Sequence, residues 1–367
     1  FLRDFKRLFR REAVLGVGFF LERGQIVESE LSYLSNYQRV IINSGKISNK
    51  GWEISVSGVP VKVKNFEWKT IFNWSKNNSM VESLPEGIDK IQIGSGVYNV
   101  KSYAEVGKPY GAIYAKTFKR DAEGYILCQL DGSPKEGQDY EYLGCVQADW
   151  RGGWNNVFRL GNFSFSVMFD FQKGGKFFSQ TSIQSSVDGQ SVKSLEGRDA
   201  DFFSRKILGE SDEERYGFMR PQNANTPTAN GQIYPDWGRP KGVVLPNCRY
   251  DEDVEGLAGQ QVLGYCTPER YWMHYTSRDI SRFIYDASYV KLREITVSYD
   301  LPKKWLRKTP FQTFRVAAVG RNIATLFANT PHGLDPQATS TTGNAQGFER
   351  GFNLPSATYG FDIKVSF

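Results

Sequence analysis

The stretch "NFSFSVMFDFQ" limits what this chain can fold into more than any other. Phe163, Phe165, Val167, Phe169 and Phe171 fall on one parity; Ser164, Ser166, Met168 and Asp170 fall on the other. Successive side chains of a strand point to opposite faces, so a period of two sustained this long dictates an extended segment with one apolar and one polar face. The pattern recurs. "FEWKTIFNWSKN" sets Phe66, Trp68, Phe72 and Trp74 against Glu67, Lys69 and Asn73, and "GWEISVSG" sets Trp52, Ile54 and Val56 against Glu53, Ser55 and Ser57. The stretch "ATYGFDIKVSF" does the same with Tyr359, Phe361, Ile363, Val365 and Phe367. Few segments carry helical periodicity, so the class is all-β and antiparallel.

Two architectures bury such strands. A soluble sandwich turns its apolar faces inward and fills them mainly with Val, Ile and Leu. A transmembrane barrel turns them outward to lipid, with aromatic girdles near the strand ends. Here Phe, Trp and Tyr dominate the apolar parity, which favours the barrel. Connection lengths point the same way. Short links near 62–65, at Gly161-Asn162 and at 301–310 alternate with very long ones at roughly 75–150, 172–285 and 327–355. Compact soluble domains seldom contain connections of that length, whereas an up-and-down barrel alternates short periplasmic turns with long outside loops.

Composition fits without deciding. Mean hydropathy is −0.46 and no run of about 18 apolar residues offers a transmembrane helix; a barrel shows lipid only every second residue, so its average hydropathy stays low. The net charge of +6 is dispersed, with no basic stripe interleaved with aromatics that would mark a nucleic-acid partner. The first stretch, "FLRDFKRLFRRE", reads as the ragged start of a fragment, and no signal peptide is read in it.

One strand breaks parity. In "ASYVKLREITVSYDLP", Val290 and Leu292 share one parity while Ile295, Val297 and Tyr299 share the other. Either a bulge near Arg293-Glu294 resets the register, or residues 288–292 lie beyond the membrane where no parity applies. The second option is slightly preferred. The long connections are irregular but not of low complexity, and their aromatics Tyr234, Trp237, Tyr250, Tyr271 and Trp272 are expected to present contact surface.

Little here carries bond-making chemistry. There is no phosphate cradle, no nucleophile motif, and His274 and His332 stand alone. No cofactor is implied and the chain is not read as an enzyme. Cys128, Cys145, Cys248 and Cys266 form no CxxC pair, so zinc is disfavoured. As disulfide candidates they close the shortest loops as Cys128–Cys145 and Cys248–Cys266; free buried thiols are the equal alternative. "YDEDVEG" places Asp251, Asp253 and Glu255 where a weak calcium site is conceivable, with a solvated acidic turn the better reading.

Seven stretches in order carry a family likeness: "NSGKISNKGWEIS", "GKPYGAIYAKTFKRDAEGYIL", "EYLGCVQADWRGGWNNVFRLGNFSFSVMFDFQKGGKFFS", "DASYVKLREITVSYDLPKKWL", "VGRNIATLF", "GLDPQ" with "GNAQGFE", and "LPSATYGFDIKVSF". Together they resemble the C-terminal part of SusC/RagA-like TonB-dependent outer-membrane transporters of Bacteroidetes. Cys145 and Ala148 replace the Asn and Pro usual in that family, and residues 1–30 match poorly. The resemblance implies that 31–367 is about eight strands of a plugged barrel of about 22, with the plug absent from this piece. It implies energy-coupled import of a nutrient, most commonly an oligosaccharide and sometimes a peptide, through the outer membrane. The implied partners are a SusD-like surface lipoprotein, the TonB complex acting through the plug, and outer-membrane lipid. Tyr359, Phe361, Ile363, Val365, Phe367, Phe163, Phe165 and Phe169 are then expected to face lipid, Phe367 serving as an assembly signal. Ser164, Ser166, Asp170 and Lys364 are expected to face the lumen. The rival readings are a small outer-membrane barrel enzyme or adhesin, and a soluble β-rich glycan-binding protein.

Overall fold

A computed structural model describes residues 13–30, 39–196, 243–266, 268–331, 333–338, 346–351 and 356–367. The strands of the first part are β1 (Ala13–Glu30), β2 (Arg39–Val63), β3 (Phe66–Ser83), β4 (Lys90–Ser95), β5 (Lys101–Glu105), β6 (Ala112–Ala115), β7 (Ile126–Cys128) and β8 (Glu141–Cys145). Next come β9 (Trp150–Leu160), β10 (Phe163–Lys173), β11 (Lys176–Ser179), helix α1 (Gln180–Val187), β12 (Val243–Tyr250) and β13 (Gln261–Cys266). The last are β14 (Ile284–Asp286), β15 (Tyr289–Asp300), β16 (Thr313–Ala328), β17 (Phe348–Glu349) and β18 (Thr358–Ser366).

Eight of these strands form one sheet in the order β1-β2-β3-β9-β10-β15-β16-β18. Every neighbouring pair in it is antiparallel and follows chain order. Residues 13–30, poor in family likeness, are thus its first strand. The short links lie on one edge. At Gly161-Asn162 a two-residue turn places Gly161 at φ 57°, the left-handed region that a tight hairpin needs at its first central position. The long connections all lie on the opposite edge.

Registration sorts the side chains into rows. Val61, Trp68, Phe158, Phe165, Val297, Ala318 and Phe361 stand side by side across seven strands. One residue along, on the other face, run Lys62, Glu67, Arg159, Ser164, Ser298, Ala317 and Asp362. Rings stack along the apolar rows, Trp68 on Phe158 at 5.9 Å, Phe158 on Phe165 at 6.2 Å and Phe163 against Tyr299 at 4.6 Å. Such pairs add stabilisation beyond burial alone.

Parity survives the irregularities of β2, β15 and β16 because bulges absorb them. The shift between Gly58 and Val61 takes in Pro60, which has no N–H to give to a ladder and is tolerated at a bulge. In β15, Met168 faces Glu294 and Phe169 faces Leu292, so Arg293 is the extra residue. The bulge, not the exit of 288–292 from the patterned region, resets the register of this strand. Opposite it, Asn322 of β16 has φ 50°, a left-handed conformation Asn adopts more readily than most residues.

The main hydrophobic core lies outside this sheet. The largest fully buried side chains, among them Trp272, Tyr250, Tyr271, Phe118, Phe177 and Phe348, all belong to the long connections. Three small sheets organise them: β4-β5-β6-β8, β13-β12-β7 and β14-β11-β17. Tyr250, Tyr271 and Trp272 are therefore core residues and not contact surface, while Tyr234 and Trp237 lie outside the described residues. Meanwhile Phe163 is 58% and Phe361 87% exposed.

Candidate functional site

The polar face of the large sheet meets the folded connections at the long-loop edge, and there its side chains converge. Asp170 of β10 stands opposite Lys291 of β15, and Gln172 opposite Tyr289. The bulge re-aims Arg293 onto this group, as bulges near functional sites commonly do. Its guanidinium donates to Asp170, to the Gln337 Oε1 at 2.7 Å and to the Asn322 Oδ1 at 2.6 Å. The Lys291 ammonium donates to both Asp335 oxygens at 2.5 and 2.6 Å and to Gln337 at 2.9 Å. The Gln337 amide in turn donates to the Tyr289 hydroxyl at 2.6 Å.

Asp335 and Gln337 come from the third long connection. Local bonds shape it: the Asp335 carboxylate accepts from its neighbour's Gln337 N–H at 2.8 Å, and Thr330 donates to the Leu334 carbonyl at 2.6 Å. The stretch "GLDPQ" is thereby held in a form that projects two polar side chains onto the sheet. Two cations and two carboxylates compensate one another, and the Lys291 side chain is only 5% exposed. A buried charge is tolerable when paired and hydrogen-bonded like this.

Beside the cluster lies a recess of about 420 Å³ lined by Arg151, Asp170, Gln172, Lys176, Tyr289, Gln337 and Gln346 among others. Arg151 and Asp170 also border a wider hollow of about 720 Å³ along the polar face, with Glu53, Ser55, Asn73 and Ser75. The groups present offer hydrogen bonds and charge. Two rings line the smaller recess, Phe177 and Tyr289, both buried, so it presents no broad aromatic platform. Among the described residues no group of His, Cys, Asp and Glu could hold a metal ion.

Of the lumen candidates, Asp170 belongs to the cluster. Ser166 lies on the same face and donates to Asn155 at 3.1 Å. Ser164 sits opposite Arg159 and Ser298, and its buried hydroxyl has no hydrogen-bond partner among the described residues. Lys364 stands opposite Arg315 near the short-link edge, far along the strand from Asp170 in register. Tyr359, Phe361, Ile363 and Val365 alternate against the polar parity of β18 and, with Phe163, Phe165 and Phe169, share the apolar face; Phe367 packs at 5.3 Å on Phe311. Tyr289, Lys291, Arg293, Asp335 and Gln337 escaped the sequence reading. The available signal was two cations in "YVKLRE" at the loop end of a strand, together with "GLDPQ".

The sequence leaves free buried thiols as the equal alternative to disulfides and makes a solvated acidic turn the better reading than calcium. None of the four cysteines forms a disulfide. The parallel pairing of β7 with β12 sets Cys128 opposite Tyr250 and Ile126 opposite Cys248, and the Cys128 thiol hydrogen-bonds with that of Cys248, so neither Cys128–Cys145 nor Cys248–Cys266 is the neighbouring pair. Its contact with Cys248, together with burial, pushes the Cys128 thiol far above its ordinary range, and burial pushes Cys266 up to about 12. The acidic turn is neutralised by lysines: Lys119 and Lys135 bind Asp251 at 2.8 and 2.9 Å, and Lys135 binds Asp253 at 2.5 Å. Glu255 is exposed and does not converge with them. Burial alone would raise the Asp251 pKa; the two ammonium groups override it and hold the carboxyl at about 2.

A meander with one exposed apolar face, one polar face and folded connections on a single edge is an antiparallel sheet of the kind that builds the wall of a β-barrel. In sequence, 341 residues are 24% identical to TonB-dependent receptor P3 of Formosa agariphila, covering 87% of this chain and 28% of that protein. TonB-dependent receptor P39 of the same organism is 21% identical over 193 residues. The structure of the RagAB peptide transporter superimposes with a TM-score of 0.57 at 14% identity, covering 97% of this chain and 33% of that one. The RagAB peptide importer in its closed-closed state gives 0.57 at 16% identity. No protein-family model matches. The chain is thus a relative of the TonB-dependent receptors with a fold of the SusC/RagA type, and it spans about a third or less of the length of these relatives.

Proposed function

We propose that this chain is part of the wall of an energy-coupled outer-membrane importer, its aromatic face toward lipid and its polar face toward the lumen. One observation carries the reading: large aromatic side chains of the main sheet stay exposed while the largest buried ones all sit in the connections. A soluble glycan-binding sandwich needs the reverse. The folded connections then form part of an outside vestibule under a SusD-like lipoprotein, and TonB acts through a plug supplied by the rest of the protein. The recess at Arg151, Asp170, Gln172 and Gln337 lies where the vestibule meets the lumen and offers hydrogen bonds to a passing oligomer.

The cargo is a hydrophilic oligomer, an oligosaccharide by the family likeness. A short peptide is the second reading, favoured by the lack of an exposed ring in the recess and by the peptide transporters among the structural neighbours. Uptake of labelled oligosaccharides and labelled peptides by cells with and without the full-length receptor tests this. Import of one class that stops when the receptor is deleted or the proton-motive force is collapsed supports the proposal. Uptake indifferent to both treatments refutes it.

A further inference from the structure

We propose that the turn 301–312 is a binding site for the headgroups of anionic phospholipids at the short-link edge of the sheet. The proposal rests on the membrane reading above. Within six residues the turn carries Lys303, Lys304, Arg307 and Lys308, and "LPKKWLRKTPFQ" contains no Asp or Glu. All four cations are exposed, and none has an ion pair or side-chain hydrogen bond among the described residues. The carboxylate that adjoins the turn, Asp300, is already taken by Arg315 at 2.6 Å. Lys303 and Arg307 are four residues apart on the short helical turn Lys303–Leu306 and its C-cap, a spacing at which like charges destabilise each other. An external anion relieves that repulsion.

The second observation is apolar. Between the cations stands Trp305, 60% exposed. The turn that presents it is rigid: Leu306 is buried, the Trp305 N–H donates to the Pro302 carbonyl at 2.9 Å, and Thr309 donates to the Leu306 carbonyl through its hydroxyl at 2.8 Å. At its base Phe311 packs on Phe314 at 6.1 Å and on the exposed Phe367. Amphipathic rings of this kind settle at the headgroup level of a bilayer, and cations beside them draw anionic lipid. A soluble polyanion would neutralise the cations and leave Trp305 and Phe367 in water. A phospholipid satisfies both, its phosphate on the cations and its glycerol and upper acyl chain against the rings.

The test uses the full-length receptor in detergent, with phosphatidylglycerol and phosphatidylethanolamine as probes and native mass spectrometry counting bound lipid. The wild type is expected to prefer phosphatidylglycerol by about tenfold in apparent Kd at low salt, four favourable cation contacts being partly screened. K303Q/K304Q/R307Q/K308Q should reduce the preference below about twofold, and K304Q/K308Q should fall between. W305S should weaken both lipids while keeping the preference. Compact, heat-modifiable gel migration confirms that each variant is assembled. Equal preference in wild type and the fourfold variant overturns the proposal, as does displacement of the lipid by glycerol phosphate or an acidic peptide as effective as phosphatidylglycerol itself. A receptor that stays monomeric and soluble without detergent overturns the membrane reading and this proposal together. A detergent-requiring barrel lacking the anionic preference overturns this proposal alone.

Discussion

Phe165 and Ser164 are chain neighbours with opposite obligations. Phe165 stands in an apolar row between Phe158 and Val297, and Ser164 stands between Arg159 and Ser298. A cation placed on a lipid face costs up to about 2–4 kcal/mol, most at the bilayer midplane and less toward the strand ends. Phe165→Arg should therefore abolish or sharply reduce assembled, heat-modifiable protein. Ser164→Asp gains Arg159 directly across the strand pair and should assemble normally. Equal assembly of the two variants contradicts the assignment of faces.

Lys291 poses a different problem at the same scale. Removing one partner of a buried pair strands the other charge, at a cost of about 3–5 kcal/mol. Lys291→Ala and Asp335→Ala should each lower the temperature at which compact migration is lost, and the double variant should lose much less than the sum. Additive losses would mean that the third connection is not clamped to the sheet through this pair. Neither residue was legible as a site. Lys291 reads as one more charge in a strand, and its partner lies 44 residues on, a distance that only the fold closes.

At the scale of elements, the strands were readable because a period of two is written residue by residue, and the faces of β3, β10 and β18 follow from it directly. The bulge at Arg293 was not, since a parity break has the same appearance whether the strand bulges or leaves the patterned region. The three small sheets escaped altogether. They are made of strands of two to eight residues, too short for a period to declare itself, and β7 pairs with β12 across more than a hundred residues. For the same reason loop length pointed to the wrong cysteine neighbours. This folded layer has its own pH dependence. The Asp251 pKa is depressed to about 2, so its ion pairs contribute fully above the ordinary carboxylate range, and the contribution is lost as pH falls from about 4 through 2. Limited proteolysis of the connections should accelerate across that window in the wild type. Asp251→Ala, losing charge-assisted bonds of roughly 1.5–3 kcal/mol each before compensation, should be cleaved faster at neutral pH and show a flatter acid response. An unchanged acid response in this variant would assign the window to other carboxylates.

For the whole molecule, the claim is that one side of a curved sheet meets lipid and the other meets water along its entire width. That claim can be tested position by position. Of this chain's cysteines, Cys128, Cys248 and Cys266 are buried and Cys145 is half-buried, so Cys145→Ser leaves this part nearly silent to thiol reagents, and accessible cysteines elsewhere in the receptor are replaced as well. Into this background go single cysteines: Phe163→Cys and Phe361→Cys on the apolar face, Ser166→Cys and Asp362→Cys on the polar face. In the full-length receptor reconstituted into vesicles, a membrane-permeant, lipid-partitioning maleimide should label the first two, and a charged thiosulfonate should leave them untouched. The polar pair should react with the charged reagent, because a water-filled lumen admits it. Strands β10 and β18 are separated by β15 and β16, so agreement between them tests the wall as a unit and not a local fold. A soluble β-rich protein would expose no position selectively to the lipid-partitioning reagent, and a barrel turned inside out would reverse the two pairs. Only the alternation read first in "NFSFSVMFDFQ", carried intact through two bulged strands to Phe361, yields the expected split.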